Sequence, residues 1–210
     1  MKYLHPTEAI TQNWASLSLL FTYLARMAVN YKAQLIQLVD RKKALIPTAC
    51  TEEGIANALK ILETMNERIT ELALRFDEAT ALAPLAPGKR SFKETLIHLM
   101  NIESLNYITI YAAYLIKMPQ VYPLHAEKHL SKLNLYSSFS LAELNASFIL
   151  ERKKTLCFLH QLKPADWNRQ MIETGKKRSE SIYWRTRGLA LHDYTHLLIL
   201  HFQLFGKADI

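Results

Sequence analysis

Eight histidines occur in the 210-residue chain, and three of them stand where imidazoles could share an ion. His192 and His196 lie four residues apart in the run LALHDYTHLLILHF, and His98 lies in KETLIHLMNIES. On a helix, residues four apart sit one above the other on the same face. Neutral imidazole is a common ligand of zinc, nickel, copper and iron. A third imidazole from another helix makes a three-His set with an open coordination position, the arrangement of catalytic rather than closed structural sites. An ion held that way lowers the pKa of a bound water or thiol and yields a nucleophile at neutral pH. Spacing alone leaves a second reading open, that of ordinary core histidines hydrogen-bonded to a neighbour. His125 and His129 (HAEKH) repeat the spacing in a proline-flanked stretch of mixed polarity, and these two read as surface residues.

For the three imidazoles to converge, rigid helices must carry them. Proline is excluded from helix interiors. Pro6, Pro47, Pro84, Pro87, Pro119, Pro123 and Pro164 therefore punctuate the chain into five long segments, residues 7–46, 51–82, 91–117, 139–162 and 180–205. With only 5 glycines and an abundance of Leu, Ala, Glu, Lys and Ile, these segments read as helices. None shows sustained β alternation. Ser91-Phe92-Lys93-Glu94 and Ser140-Leu141-Ala142-Glu143 are capping boxes, and Gly206 stands where a C-terminal glycine is expected. Leu141, Leu144, Phe148, Thr155, Leu159 and Leu162 form a mostly apolar stripe. The His98 face also carries Glu94, Asn101, Ile102, Leu105, Thr109 and Ala112; the His192 face carries Arg185, Leu189, His196, Ile199 and Gln203.

These features predict an all-α fold: a four-helix bundle with a long crossover, Lys117 to Ser138, between the second and third bundle helices, plus an additional N-terminal helix. The crossover length argues against a simple up-down-up-down order. Residues 1–48 read as an N-terminal helical extension and residues 49–210 as the bundle domain. Leu17, Leu20, Phe21, Leu24 and Ala28 would give that extension an apolar face, either an intramolecular cover or a homodimer contact.

The formal net charge is +7, and residues 1–48 hold +4 of it, six Lys/Arg against two acids. The basic clusters Arg41–Lys43, Arg152–Lys154 and Lys176–Arg178 are short, separated and free of interleaved aromatics, so they read as solvated faces and nucleic acid is not an expected partner. The apolar run Trp14–Val29 is interrupted by Ser16, Ser18, Thr22 and Arg26, too short and broken for a membrane span. It also lacks the flanks of a signal peptide. Cys50 and Cys157 read as reduced thiols of a cytoplasmic protein, with Cys157 a small core residue.

GKRSFKETLIHLMNIES, ERKKTLCFLHQLKPADWNRQ and LALHDYTHLLILHFQLFG, in that order, resemble the DinB/YfiT-like superfamily of four-helix-bundle metalloproteins. In that family a Ser-led helix start is followed by Glu and then His-Leu, and a His-x-x-x-His pair follows roughly ninety residues later. The likeness covers about residues 54–207. It departs at Arg90, where relatives commonly have Trp, and it has no counterpart for residues 1–48. The resemblance implies His98, His192 and His196 as ligands of one divalent metal ion, zinc, nickel or iron. It also implies a thiol S-transferase or hydrolase acting on a small-molecule substrate, with a low-molecular-weight thiol as a possible co-substrate. Arg185 and Arg187, flanking the start of the last helix, would hold a carboxylate of such a thiol. Glu94 is explained by its cap, and Asp193, off the His face, reads as a surface residue. The alternative is a non-catalytic bundle that binds a metal or a ligand.

Overall fold

The computed structural model describes residues 31–123, 125 and 129–206. The apolar positions Leu17 to Ala28 lie outside the described residues. Chain contacts separate residues 1–40 from residues 41–210, and the site lies within the second unit. Residues 31–45 are helical, and we label them α1. The bundle helices are α2 (Glu52–Ala73), α4 (Phe92–Leu115), α5 (Leu141–His160) and α6 (Ile182–Phe205), with a short α3 (Glu78–Leu82) between the first two. No described helix is long and apolar enough to cross a membrane.

The helix ends follow local chemistry. Ser91 Oγ accepts from Glu94 N at 3.1 Å while the Glu94 carboxylate accepts from Ser91 N at 2.8 Å. The Ser140–Glu143 pair does the same for α5, and Gly206 closes α6 at φ 70°. Residues 51–82, expected as one helix, break after Ala73 because Asp77 and Thr80 build a further capping box that starts α3. A single glycine matters sterically. A Cβ at Gly54 would lie 2.5 Å from the Tyr183 hydroxyl, which donates to the Pro47 carbonyl at 2.6 Å, so the first turn of α2 meets α6 closely only with glycine.

Helix α2 packs on α5 and α6, and α4 packs on the same two. Sequence neighbours α2 and α4, like α5 and α6, therefore face each other across the bundle. This is not an up-down-up-down order. Leu62, Met65 and Ile69 of α2, Leu96, Leu99 and Met100 of α4, Leu144, Phe148 and Leu159 of α5, and Leu189, Leu197 and Leu198 of α6 form the core, all under 3 % exposed. Each such side chain contributes about 1.5–3 kcal/mol of burial.

Between the helices lies a small three-stranded sheet that no alternation announced. Strand β1 (Gln120–Val121) comes from the crossover and runs parallel to β2 (Gln170–Glu173), which pairs antiparallel with β3 (Ser179–Ser181). Strands of two to four residues are too short for period-two patterning to stand out. The sheet ties the crossover to the α5–α6 link, and Ser181 at its end also caps α6, accepting from Trp184 N.

Two expectations on α5 need correction. Its inward face is Leu144, Phe148, Arg152, Thr155 and Leu159, all buried. That register turns Cys157 outward, where it is exposed rather than in the core. It also turns Arg152, expected in a solvated basic cluster, fully inward, while Lys153 and Lys154 remain outside.

Candidate metal centre

The capping box at Ser91 starts α4 so that His98 falls two turns in, and the Ser181 cap starts α6 so that His192 and His196 follow three and four turns in. Because α4 and α6 pack together, the three rings meet. One ligand atom from each of His98, His192 and His196 lies within 4.8 Å of the others. Ring centroids are 5.1 Å apart for His98–His192, 4.8 Å for His98–His196 and 4.5 Å for His192–His196. His98 is 9 % exposed, and the His192 side chain, at 29 %, keeps the cluster open to solvent.

The tautomers follow from the hydrogen bonds. His192 Nδ1 lies 3.0 Å from Asp193 Oδ1. A carboxylate held beside Arg152 accepts a proton bond there, so the lone pair of His192 sits on Nε2, facing the cluster. His192 Nε2 lies 3.1 Å from His98 Nε2.

Asp193 was expected at the surface. It does leave the His face, but one residue further round α6 that direction is the interior, and it is fully buried. Its other oxygen pairs with Arg152, whose same nitrogen lies 2.7 Å from Glu103 Oε2; all three side chains are 0 % exposed. Burial pushes the Glu103 carboxyl above the ordinary range, Arg152 notwithstanding. Burial presses the same way on Asp193, but the Arg152 charge and hydrogen bonds from His192 and Arg152 outweigh it and hold Asp193 low. Glu103 is thus the first of the two to take up a proton. Sequence reasoning missed Arg152 and Glu103; the available signal was a guanidinium set in an apolar stripe, halfway between Phe148 and Thr155.

Burial, then the nearby His192 and the Arg90 guanidinium, push the His98 imidazole down to about 4, against an opposing pull from Asp193. Burial and the two neighbouring imidazoles push His196 down to about 3. Both rings are neutral at pH 7, the form that binds metals. Three imidazoles with converging nitrogens, one of them oriented by a carboxylate, suit a divalent transition metal.

A cavity of about 240 Å³ opens beside His98, lined by Arg90, Glu94, Ile97 and Asn101 of the α4 region and by Leu130 and Asn134–Ser137 of the crossover. The other candidates lie elsewhere. Arg185 is held by Glu173 and Glu180, each at 2.7 Å. Arg187 donates to the Ile46 carbonyl at 2.7 Å and stacks on Trp184. Glu94 caps α4, and His125 and His129 are exposed, with His129 Nδ1 accepting from His125 N.

These features have counterparts among known proteins. The structure is similar to that of YfiT from Bacillus subtilis, described as a probable metal-dependent hydrolase with an unusual four-helix bundle topology; the two share 15 % identity at a TM-score of 0.63 over 71 % of this chain and 85 % of that one. No curated protein matches the chain. The family model of the DinB superfamily matches residues 61–200, which include all three histidines. Two thirds of its length lies within that match, and the chain belongs to the DinB superfamily.

Proposed function

We propose that the protein is a metal-dependent enzyme of the hydrolase or thiol S-transferase class acting on a small molecule, with His98, His192 and His196 as the ligands of one divalent ion. The observation that carries this reading is the convergence of three imidazole nitrogens beside a cavity that His98 lines. Bound there, zinc, nickel or iron would act as a Lewis acid and lower the pKa of a water or thiol.

The protein's own groups do the rest. Asp193 holds the His192 ring by its Nδ1 proton, and Arg152 holds Asp193, so the ring cannot turn without losing its hydrogen bond to an anchored carboxylate. Burial and charge repulsion among the rings keep His98 and His196 neutral. Ile97, Leu130 and Leu135 give the cavity apolar lining, while Asn101 and Arg90 offer polar contacts to a substrate. The likeness to YfiT favours hydrolysis over transfer to a thiol.

Full-length protein purified without chelators should contain about one divalent ion per chain by elemental analysis, and His192→Ala should lose it. A wild-type preparation that holds no stoichiometric metal, and takes up none from added zinc, nickel or ferrous salts, would end this reading. A loaded protein inert towards ester, amide and thiol-transfer substrates would instead favour a non-catalytic metal-binding bundle.

A further inference from the structure

The cavity beside His98 has two polar ends. Arg90 precedes His98 by eight residues and Asn101 follows it by three, so at about 1.5 Å of rise per residue they stand on opposite sides of His98 along the α4 direction. Both line the same cavity. Asn101 is only 4 % exposed, and none of the described residues hydrogen-bonds its side-chain amide. The amide therefore offers both a donor and an acceptor to whatever fills the cavity. Between the two ends, Ile97, Leu130 and Leu135 supply apolar wall.

We propose that this cavity takes a small carboxylate bearing a second hydrogen-bonding group, with Arg90 holding the carboxylate, Asn101 the far polar group and the three aliphatic side chains the body between them. This ligand class rests on the metal-centre reading for the reaction, though not for the binding. Charge favours a monoanion over a phosphate dianion. Among the described lining residues Arg90 is the one Lys or Arg, and Glu94 puts a carboxylate on the same wall, already turned onto the Ser91 amide. Size points the same way, because about 240 Å³ falls below the roughly 300–1,000 Å³ of pockets for drug-sized ligands. His98 lines the same cavity as Arg90, so a carboxylate held there would lie beside the three-His cluster.

Three probes separate the two ends: 4-acetamidobutyrate with both groups, hexanoate with the carboxylate alone, and N-propylacetamide with the amide alone. They are titrated against the full-length chain by ligand-observed NMR, with metal content measured on the same preparations. The two-ended probe should bind most tightly. Arg90→Gln should weaken both carboxylates about tenfold or more, as expected for a charged hydrogen bond, and leave N-propylacetamide unchanged; Arg90→Lys should restore part of the loss. Asn101→Ala should weaken the two amides and spare hexanoate. Equal binding of carboxylate and neutral probes to the wild type, or an Arg90→Gln protein with the wild-type preference, would overturn the proposal. Loss of that preference with metal retained refutes the ligand class alone, whereas absence of metal with the preference intact refutes the metal centre alone.

Discussion

His192 and His196 on α6 and His125 and His129 in the crossover share the same four-residue spacing but not the same surroundings. The first pair faces a third imidazole at 4.8–5.1 Å and rests on a buried carboxylate. The second pair stacks at 6.1 Å, with both residues exposed and His129 bonded to the backbone of its own partner. Spacing brings two rings together in both places. Burial, a third ring from another helix and a compensated charge beneath them are what make one pair a candidate centre.

The comparison can be strained hardest from below. Arg152→Met would leave Asp193 and Glu103 buried without their cation. Removing one member of a buried ion cluster costs about 3–5 kcal/mol, so urea unfolding should show a loss of that size. Lys154→Met, which breaks the exposed pair with Glu151 three residues before it, should cost at most about 1 kcal/mol. A small loss at Arg152 would mean that nothing beneath α6 distinguishes the two pairs.

Next in size is orientation. Asp193→Asn keeps the shape but removes the charge that fixes the His192 tautomer, and losing such a partner typically lowers metal affinity about 10–100-fold. Competition titration with a zinc chelator should read this loss. The same titration on His125→Gln and His129→Gln should match the wild type.

A smaller effect separates the pairs by pH. In the metal-free protein His98 and His196 titrate near 4 and 3 when folded, against about 6.5 unfolded. Between those values the unfolded chain binds more protons, so stability rises with pH across the window and is lost as pH falls from 6.5 towards 4. Thermal melts over that range should flatten in His196→Gln, with no change of slope in His129→Gln. A slope that survives loss of both cluster histidines would place the acid sensitivity elsewhere.

Much of this molecule is written locally. The capping boxes at Ser91 and Ser140 and the glycine at 206 act within four residues of themselves, so the starts of α4 and α5 and the end of α6 could be read from short strings. The break at Asp77 was equally local but was masked by continuous apolar patterning from Ile55 to Leu82. The sheet escaped notice because its strands are shorter than a reliable period, and pairing between residues 120 and 172 is not a local property. Arg152 was misplaced because its sequence neighbours, Lys153 and Lys154, are solvated. Cys157 was misplaced because an apolar neighbourhood does not say which way one residue of a helix points.

The sequence by itself determined the helices, the presence of three histidines at ligand-like separations and the family to which those separations belong, because caps, prolines and helical periodicity work over a few residues. Only the tertiary structure decided which histidine pair looks inward, that Asp193 turns towards the core rather than the solvent, and that Glu103 and Arg152 complete a charged cluster under the site. It also set Arg90, Asn101 and the crossover residues Leu130 and Leu135 around one cavity. Burial and charge compensation are sums over groups brought together from residues 90, 103, 130, 152 and 193, and no window of sequence holds them all.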